Sequence, residues 1–503
     1  MRLKISSRKS DLARLQAYTV GETLTSAIPE LEVEYFFSES LGDKNLTDPL
    51  WKMPEKGVFT EDFYLALKNG DTDMVVHSWK DLPTAHKDDT VIAATLPRAD
   101  QRDLLLFKKS HRELVKTNKA IRIFSSSPRR EHNLTSFLKD HLPFSLDSVK
   151  FENVRGNVPT RIRKLIESEE ASALIVAKAA LDRLLTAPQA EFADVQKQLH
   201  GYLEELDFMV LPLSVNPNAA AQGALAIEIM KDREDLKKIL DKINHPSTFV
   251  CAQMERDTLS SFGGGCHQKI GITVLDRDYG KVISLKGLTD AGVVLDRFQV
   301  EKSEPVKKFA SNQMLLVQTE TERIPVTLPQ VPEGSNAYFV ARKEAWNSEL
   351  PKPKYVWTAG LKTWQSLAEM GVWVHGSTEG LGEQERPQIE VLATEPLQWV
   401  KLSHQNGYEA DASTMPLLGT YRLETSFAHT DEFATKESFF WSSGSQFLAA
   451  LKQYPELATK YHACGPGNTY KIIRQQLELN GDFDKTRVQI FIDSDDWRKQ
   501  CSL

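Results

Sequence analysis

Cysteine is scarce: four in 503 residues, at Cys251, Cys266, Cys464 and Cys501. So few cannot build a disulfide scaffold, and no two have the CxxC spacing of a structural zinc site, so no metal is expected. No apolar run approaches the ~20 residues that span a bilayer. The N-terminus, MRLKISSRKSDLARLQ, lacks the apolar core of a signal peptide. Basic charge is also short. Lys plus Arg number 62 against 69 Asp plus Glu, a net charge of −7, which argues against a general nucleic-acid binder because phosphate neutralisation wants a basic surface. What is present, 41% hydrophobic and 26% charged residues, is the balance of a globular chain. At ~150 residues per domain the length suggests roughly three domains or four. The expected setting is cytoplasmic and reducing, with no membrane and no nucleic-acid partner.

Through the first 230 residues short apolar segments alternate with amphipathic ones. Leu3–Ile5, Met74–His77, Val91–Ala94, Ala120–Phe124 and Ser172–Ala177 read as strands. Leu12–Leu24, Phe59–Lys68 and Thr160–Ser168 read as helices, with apolar residues three and four apart. The βαβα order predicts α/β domains with largely parallel sheets, which bind ligands at the carboxyl ends of their strands. From about 245 to 325 the pattern changes to one helix, Pro246–Ser260, a glycine run, and alternating segments such as Lys269–Leu275 and Val282–Leu288. That suggests a small α+β domain. Residues 321–335, TERIPVTLPQVPEGS, read as a linker, and a further α/β pattern follows to the end.

Three clusters carry chemistry. In the first, arginines recur at strand ends and helix starts: Arg8 with Ser10 as a candidate N-cap, then Ser125-Ser126-Ser127-Pro128-Arg129-Arg130, then Arg155-Gly156-Asn157-Val158-Pro159-Thr160-Arg161. Ser127 can cap and Pro128 and Pro159 suit first helical positions. Helix N-termini and guanidinium forks both suit carboxylates, so a set facing one cleft would hold a polycarboxylate, although any one arginine is as well explained as a solvated charge. The second is Val76-His77-Ser78-Trp79-Lys80-Asp81-Leu82-Pro83, where a strand runs into Lys and Asp before proline stops it. Asp81 can stabilise a developing cation or shuttle a proton, against the alternative of a surface Lys–Asp pair. In the third, Gly263-Gly264-Gly265-Cys266, the cysteine is either a nucleophile or covalent anchor, or a buried inert thiol. Cys251 reads as core.

Residues 1–320 resemble the hydroxymethylbilane synthase (porphobilinogen deaminase) family. The resemblance rests on SRKSDLARLQA, EKGVFTEDFYLAL, VVHSWKDLP, RADQRDLL, SSSPRREHNL, VRGNVPTRIRKL, AAAQGALAIE and ERDTLSSFGGGCHQKIG. It implies two periplasmic-binding-protein-like α/β domains, 1–98 with 206–240 and 99–205, and a small cofactor-carrying α+β domain, 241–325. It also implies a dipyrromethane joined through a thioether to Cys266, and four porphobilinogen molecules condensed head to tail with loss of ammonia. Asp81 then takes the catalytic role. Lys80, Ser126, Ser127, Arg129, Arg130 and Arg155 take the cofactor, and Arg8, Ser10, Arg102 and Arg161 the substrate, with Lys56 in a loop over the cleft. A monomer is expected. Phe124, Ser125, Pro128, Pro54-Glu55 and Lys178 depart from the family pattern, Lys178 standing where a small residue is usual. The alternative, a non-catalytic carboxylate binder, needs neither Cys266 nor Asp81.

From about 326 to 503 the chain resembles uroporphyrinogen-III synthase, a two-lobed α/β enzyme. The matching pieces are Tyr355–Thr363, Gly419-Thr420-Tyr421-Arg422, Phe439–Ser445 and Ala463–Thr469, with Gly467-Asn468 in place of Thr-Thr and the opening strand and helix shortened or missing. The resemblance makes Tyr421 the catalytic candidate and Thr363 and Ser442 substrate-binding. The alternative is a degenerate domain that binds or stabilises without catalysis.

Overall fold

The short apolar segments of the first half form two five-stranded sheets of one topology. The computed structural model describes residues 1–39, 61–84, 87–264, 268–405, 407, 415–428 and 430–503. Cys266, Lys56 and Pro54-Glu55 lie outside them. The strands of the first unit are, in chain order, β1 (Arg2–Arg8), β2 (Glu32–Ser38), β3 (Met74–Ser78), β4 (Thr90–Ala94), β5 (Asp103–Lys108), β6 (Ala120–Phe124), β7 (Ser148–Glu152), β8 (Ala173–Ala177), β9 (Leu206–Val210) and β10 (Leu225–Met230). One sheet runs β2-β1-β3-β10-β4 and the other β7-β6-β8-β5-β9.

Largely parallel sheets were expected, and the structure corrects this to mixed ones. β10 runs antiparallel to both β3 and β4, and β5 antiparallel to both β8 and β9. The reason is connectivity. The chain leaves the first sheet after β4 to start the second at β5, and returns after β9 to insert β10, so the strand entered by each crossover runs against its neighbours. The crossovers lie side by side: Ala99 N donates to Gly223 O at 3.3 Å and Arg98 Nε to Gln222 O at 2.9 Å. Leu104–Phe107 is wholly buried, as a strand covered on both faces must be.

Helices run Asp11–Ala27, Pro128–His141 and Val158–Glu167. The last two begin where proline and a preceding cap predict, and Asn157 Oδ1 accepts from Thr160 N at 3.0 Å. Ser10 occupies the N-cap position of the first without a side-chain cap bond. β3 ends at Ser78, before Pro83 can act, and Trp79–Asp81 forms one 3-10 turn. Pro246–Ser261 is helical as expected, followed by β11 (Gly271–Arg277), β12 (Gly280–Leu288) and β13 (Val294–Lys302) in one three-stranded sheet.

The second unit includes residues 298–503. Its strands are β14 (Met314–Leu316), β15 (Thr319–Pro325), β16 (Ala337–Val340), β17 (Tyr355–Thr358), β18 (Gly376–Ser377), β19 (Trp399–His404), β20 (Leu417–Phe427), β21 (Ser438–Trp441), β22 (Tyr461–Cys464) and β23 (Val488–Ile490). They form a parallel β14-β21-β22-β23 sheet and a β15-β20-β19-β16-β17-β18 sheet in which only β15 is antiparallel to its neighbour. The chain passes between the sheets at β14–β15 and again at β20–β21, along the β15–β20 ladder. Residues 321–325, expected to open a linker, are therefore the second part of β15, and two residues separate β14 from β15 with no helix between them. Among the described residues no helix is long and apolar enough to cross a membrane, and no His/Cys/Asp/Glu cluster could hold a metal.

Candidate functional site

The carboxyl ends of β1 and β3 are neighbours, because these strands pair in parallel at Ile5↔Met74 and Ser6↔Val75. Arg8 ends β1, Ser10 begins the next helix, and Lys80 and Asp81 sit in the turn that follows β3. Gln16 Nε2 donates to Ser78 Oγ at 2.9 Å, fixing the start of that turn. In the other sheet, β6 and β7 end side by side and lead into Ser126–Arg130 and Arg155–Arg161.

Asp103, the first residue of β5, organises the second group. Its side chain is fully buried and accepts Arg129 Nη2 at 2.8 Å, Arg130 Nη2 at 2.7 Å and Asn216 Nδ2 at 2.8 Å. Burial opposes its charge, but Arg130 and Arg129 outweigh that and hold the carboxyl far below the usual range. Gln222 Nε2 donates to Asp103 Oδ1 at 2.9 Å, and Gln222 Oε1 accepts Lys80 Nζ at 3.0 Å. The Lys80 turn is thus wired to the arginine pair through one amide. Burial lowers the Lys80 ammonium, Asp81 opposes, and Arg130 adds to the depression.

Arg161 joins the groups. Burial, with the charges of Arg130 and Arg155 beside it, brings its guanidinium down to about 10, while Asp81 pulls the other way. Arg161 Nε donates to Gly156 O at 2.7 Å, and Ser126 Oγ donates to Val154 O at 2.8 Å, which fixes the loop before Arg155. Ser127 Oγ makes a long 3.5 Å contact with Arg130 N. Asp81 is exposed, and among the described residues no hydrogen bond or ion pair restrains its carboxylate. The structure thus gathers Lys80, Asp81, Arg129, Arg130, Arg155 and Arg161, places Arg8 and Ser10 at the same sheet edge as Asp81, and gives Arg102 to Asp100 at 2.6 Å.

The helix Pro246–Ser261 supports this region. Arg256 Nη1 donates to Trp79 O and to Leu82 O, both at 3.1 Å, and Nη2 to Pro83 O, clamping the turn that carries Asp81. The helix ends in Gly263 and Gly264, both at positive φ. A Cβ on Gly264 would lie 2.4 Å from Thr84 Oγ1, so glycine at this position lets the backbone lie against Thr84, three residues beyond Asp81.

In the second unit, Tyr421 lies in β20 and is 5% exposed, its ring 6.0 Å from that of His404. Burial raises its phenol. Thr363 lies in the first turn of the helix Leu361–Glu369 that follows β17, and Ser442 is exposed just after β21, its N–H donating to Gln446 Oε1 at 3.1 Å. Elsewhere in this unit, Glu383 Oε1 accepts Lys401 Nζ at 2.5 Å and Asn468 Nδ2, and Asn468 Oδ1 accepts Glu383 N at 2.9 Å. A Cβ on Gly467 would lie 2.4 Å from Gly380 O.

A family model described as "Porphobilinogen deaminase, dipyromethane cofactor binding domain" matches residues 3–238. Porphobilinogen deaminase of Syntrophomonas wolfei is 35% identical over 286 residues, 57% of this chain and 84% of that one. That of Clostridium novyi is 30% identical over 312 residues, 61% of this chain and 96% of that one. The chain belongs to the porphobilinogen deaminase family. Among solved structures, the substrate binding domain of a putative molybdenum ABC transporter from Clostridium difficile covers 49% of this chain at 11% identity and a TM-score of 0.27, too little overlap to argue from.

The family's cofactor is a dipyrromethane attached to a cysteine. The donor set fits such a group: Lys80, Arg129, Arg130, Arg155 and Arg161 bring five cations against the two carboxylates of Asp81 and Asp103, the excess a ligand with several carboxylates requires. Sequence reasoning missed Asp103, Gln222 and Arg256. All three lie inside quoted motifs, RADQRDLL, AAAQGALAIE and ERDTLSSFGGGCHQKIG, and Asp103 even follows Arg102 directly, but their partners are distant in sequence and their roles exist only once the crossovers and the helix Pro246–Ser261 are packed.

Proposed function

We propose that the first unit is a hydroxymethylbilane synthase of haem biosynthesis, condensing four porphobilinogen molecules with release of ammonia. The observation that carries this reading is the cationic excess around an exposed Asp81. The dipyrromethane, when bound, supplies the anchored end on which pyrrole units are joined. Cys266 would hold it by a thioether, and Lys80, Ser126, Ser127, Arg129, Arg130 and Arg155 its carboxylates. Arg8, Ser10, Arg102 and Arg161 bind the acetate and propionate groups of the incoming porphobilinogen. Loss of ammonia leaves a cationic azafulvene, and the unrestrained Asp81 carboxylate can accept pyrrole N–H bonds and stabilise that charge. The direct test is ammonia and hydroxymethylbilane production from porphobilinogen by the purified chain.

Arg155→Lys should not be conservative, because lysine keeps the charge and loses the fork. The expected cost is about 1–3 kcal/mol for one charge-assisted contact. Elongation then stalls, with partly extended chains visible as a ladder in intact mass. Smooth turnover without a ladder would place Arg155 outside the ligand's reach.

For the second unit the reading is uroporphyrinogen-III synthase, closing hydroxymethylbilane to isomer III, with Tyr421 hydrogen-bonding a leaving hydroxyl or a propionate. Tying it to the unit that makes its substrate would raise capture before spontaneous closure to isomer I. A specific observation favours a second reading, a degenerate unit. Gly467 and Asn468, the residues that replace Thr-Thr, close onto Gly380 and Glu383, and Tyr421 is buried. The isomer formed decides. If the first reading holds, the wild-type chain gives isomer III and Tyr421→Phe shifts the product toward isomer I while hydroxymethylbilane formation is unchanged. Isomer I alone from the wild-type chain makes the unit degenerate.

A further inference from the structure

Lys178 follows β8 directly as the first residue of the helix Lys178–Leu185, and its side chain is 1% exposed. Burying an ammonium is costly unless its partners repay it. Here the partners lead to Arg102. Lys178 N donates to Arg102 O at 3.0 Å, continuing the β5–β8 ladder beyond Asp103↔Ala177. Lys178 Nζ lies 2.5 Å from Asp182 Oδ2 and 3.3 Å from Asp100 Oδ2. Asp100 in turn grips Arg102: Nε donates to Oδ1 at 2.9 Å and to Oδ2 at 3.1 Å, and Nη2 to Oδ2 at 2.6 Å. One acid therefore holds both cations, and the second acid competes for the lysine. The other oxygen of Asp182, Oδ1, is buried without a hydrogen-bond partner among the described residues.

We propose that Lys178 is a positioning residue: by dividing its charge between Asp182 and Asp100 it sets how firmly Asp100 holds the Arg102 guanidinium, and so how readily that guanidinium turns to a porphobilinogen carboxylate. This rests on the reading that Arg102 binds substrate. With Asp182 ionised, Lys178 is shared. With Asp182 neutral, the whole ammonium faces Asp100 and competes with Arg102, which is released to the ligand. The charged groups facing Asp182 are Lys178 and Arg183 on its own helix and Asp100 and Arg102 on the segment before β5. Burial pushes Asp182 up to about 6 against the pull of Lys178. Burial likewise opposes the charge on Asp100, but Arg102 and Lys178 hold that carboxyl at about 2, so it stays ionised throughout. Acidification through about pH 6 therefore neutralises Asp182 and strengthens substrate binding, and raising the pH weakens it.

The test is kcat and KM for porphobilinogen, measured on the full-length holoenzyme from about pH 5 to about pH 8. The KM of the wild-type chain should fall severalfold on acidification, with an inflection near that of Asp182. Lys178→Met, which leaves Asp100 wholly to Arg102, should raise KM about tenfold, the scale of one charge-assisted hydrogen bond, with kcat within about twofold. Lys178→Arg should restore most of the loss. In an Arg102→Lys background, Lys178→Met should add nothing further. A KM unchanged in Lys178→Met while Arg102→Lys raises it, or an effect that adds to that of Arg102→Lys, overturns the proposal and leaves Arg102 a ligand. A KM unchanged in Arg102→Lys overturns the binding reading itself, and the proposal with it. Should Lys178→Met not fold, Asp182→Asn decides, because it removes a charge from a partly exposed side chain. A low, pH-independent KM supports the proposal, and an unaltered wild-type profile overturns it.

Discussion

Asp81→Asn is expected to fold, to carry the cofactor and to turn porphobilinogen over about a hundredfold or more slower, the scale of losing one preorganised electrostatic stabiliser. The substitution keeps size and one hydrogen-bond acceptor and removes the charge. Asp81 is exposed, and among the described residues it has no hydrogen bond or ion pair to lose, so the fold has little stake in it. Its turn is held instead by Arg256 through Trp79, Leu82 and Pro83 carbonyls. Rates of ammonia release, compared at equal cofactor content, measure the effect. Near-normal turnover would mean that the cationic intermediate is stabilised elsewhere.

Cys266→Ser is expected to abolish turnover altogether, because serine supplies no thioether and no other cysteine can replace it. Cys251, Cys464 and Cys501 are buried. Burial pushes the Cys464 thiol far up and that of Cys501 up to about 11, so neither offers a thiolate near neutral pH. The variant should fold, show no dipyrromethane absorption and release no ammonia from porphobilinogen. Sustained ammonia release from this variant would show that the cofactor is anchored elsewhere or is not needed.

The sequence made β1, β3, β4, β6 and β8 legible because each is a short apolar run bounded by polar or turn residues. The helix starts at Pro128 and Val158 were legible because proline and cap chemistry are local. The antiparallel sense of β5 and β10 was not, since it follows from where the chain crosses between sheets, and no local pattern encodes that. Residues 321–325 read as linker because TERIP alternates weakly and is largely exposed; their strand character comes from pairing with β20. The arginine-rich turns, Lys80 and Asp81 were legible as charged residues at strand ends. That Arg129 and Arg130 spend part of their hydrogen bonding on buried Asp103 was hidden, because the partner is separated from them by more than twenty residues.

The central claim is that this chain builds its product on a covalently held dipyrromethane, and intact mass tests it most directly. The purified full-length protein should be heavier than its sequence by one dipyrromethane. On brief exposure to porphobilinogen it should gain further pyrrole units, each minus one ammonia. An active protein whose mass equals the bare sequence would contradict the account.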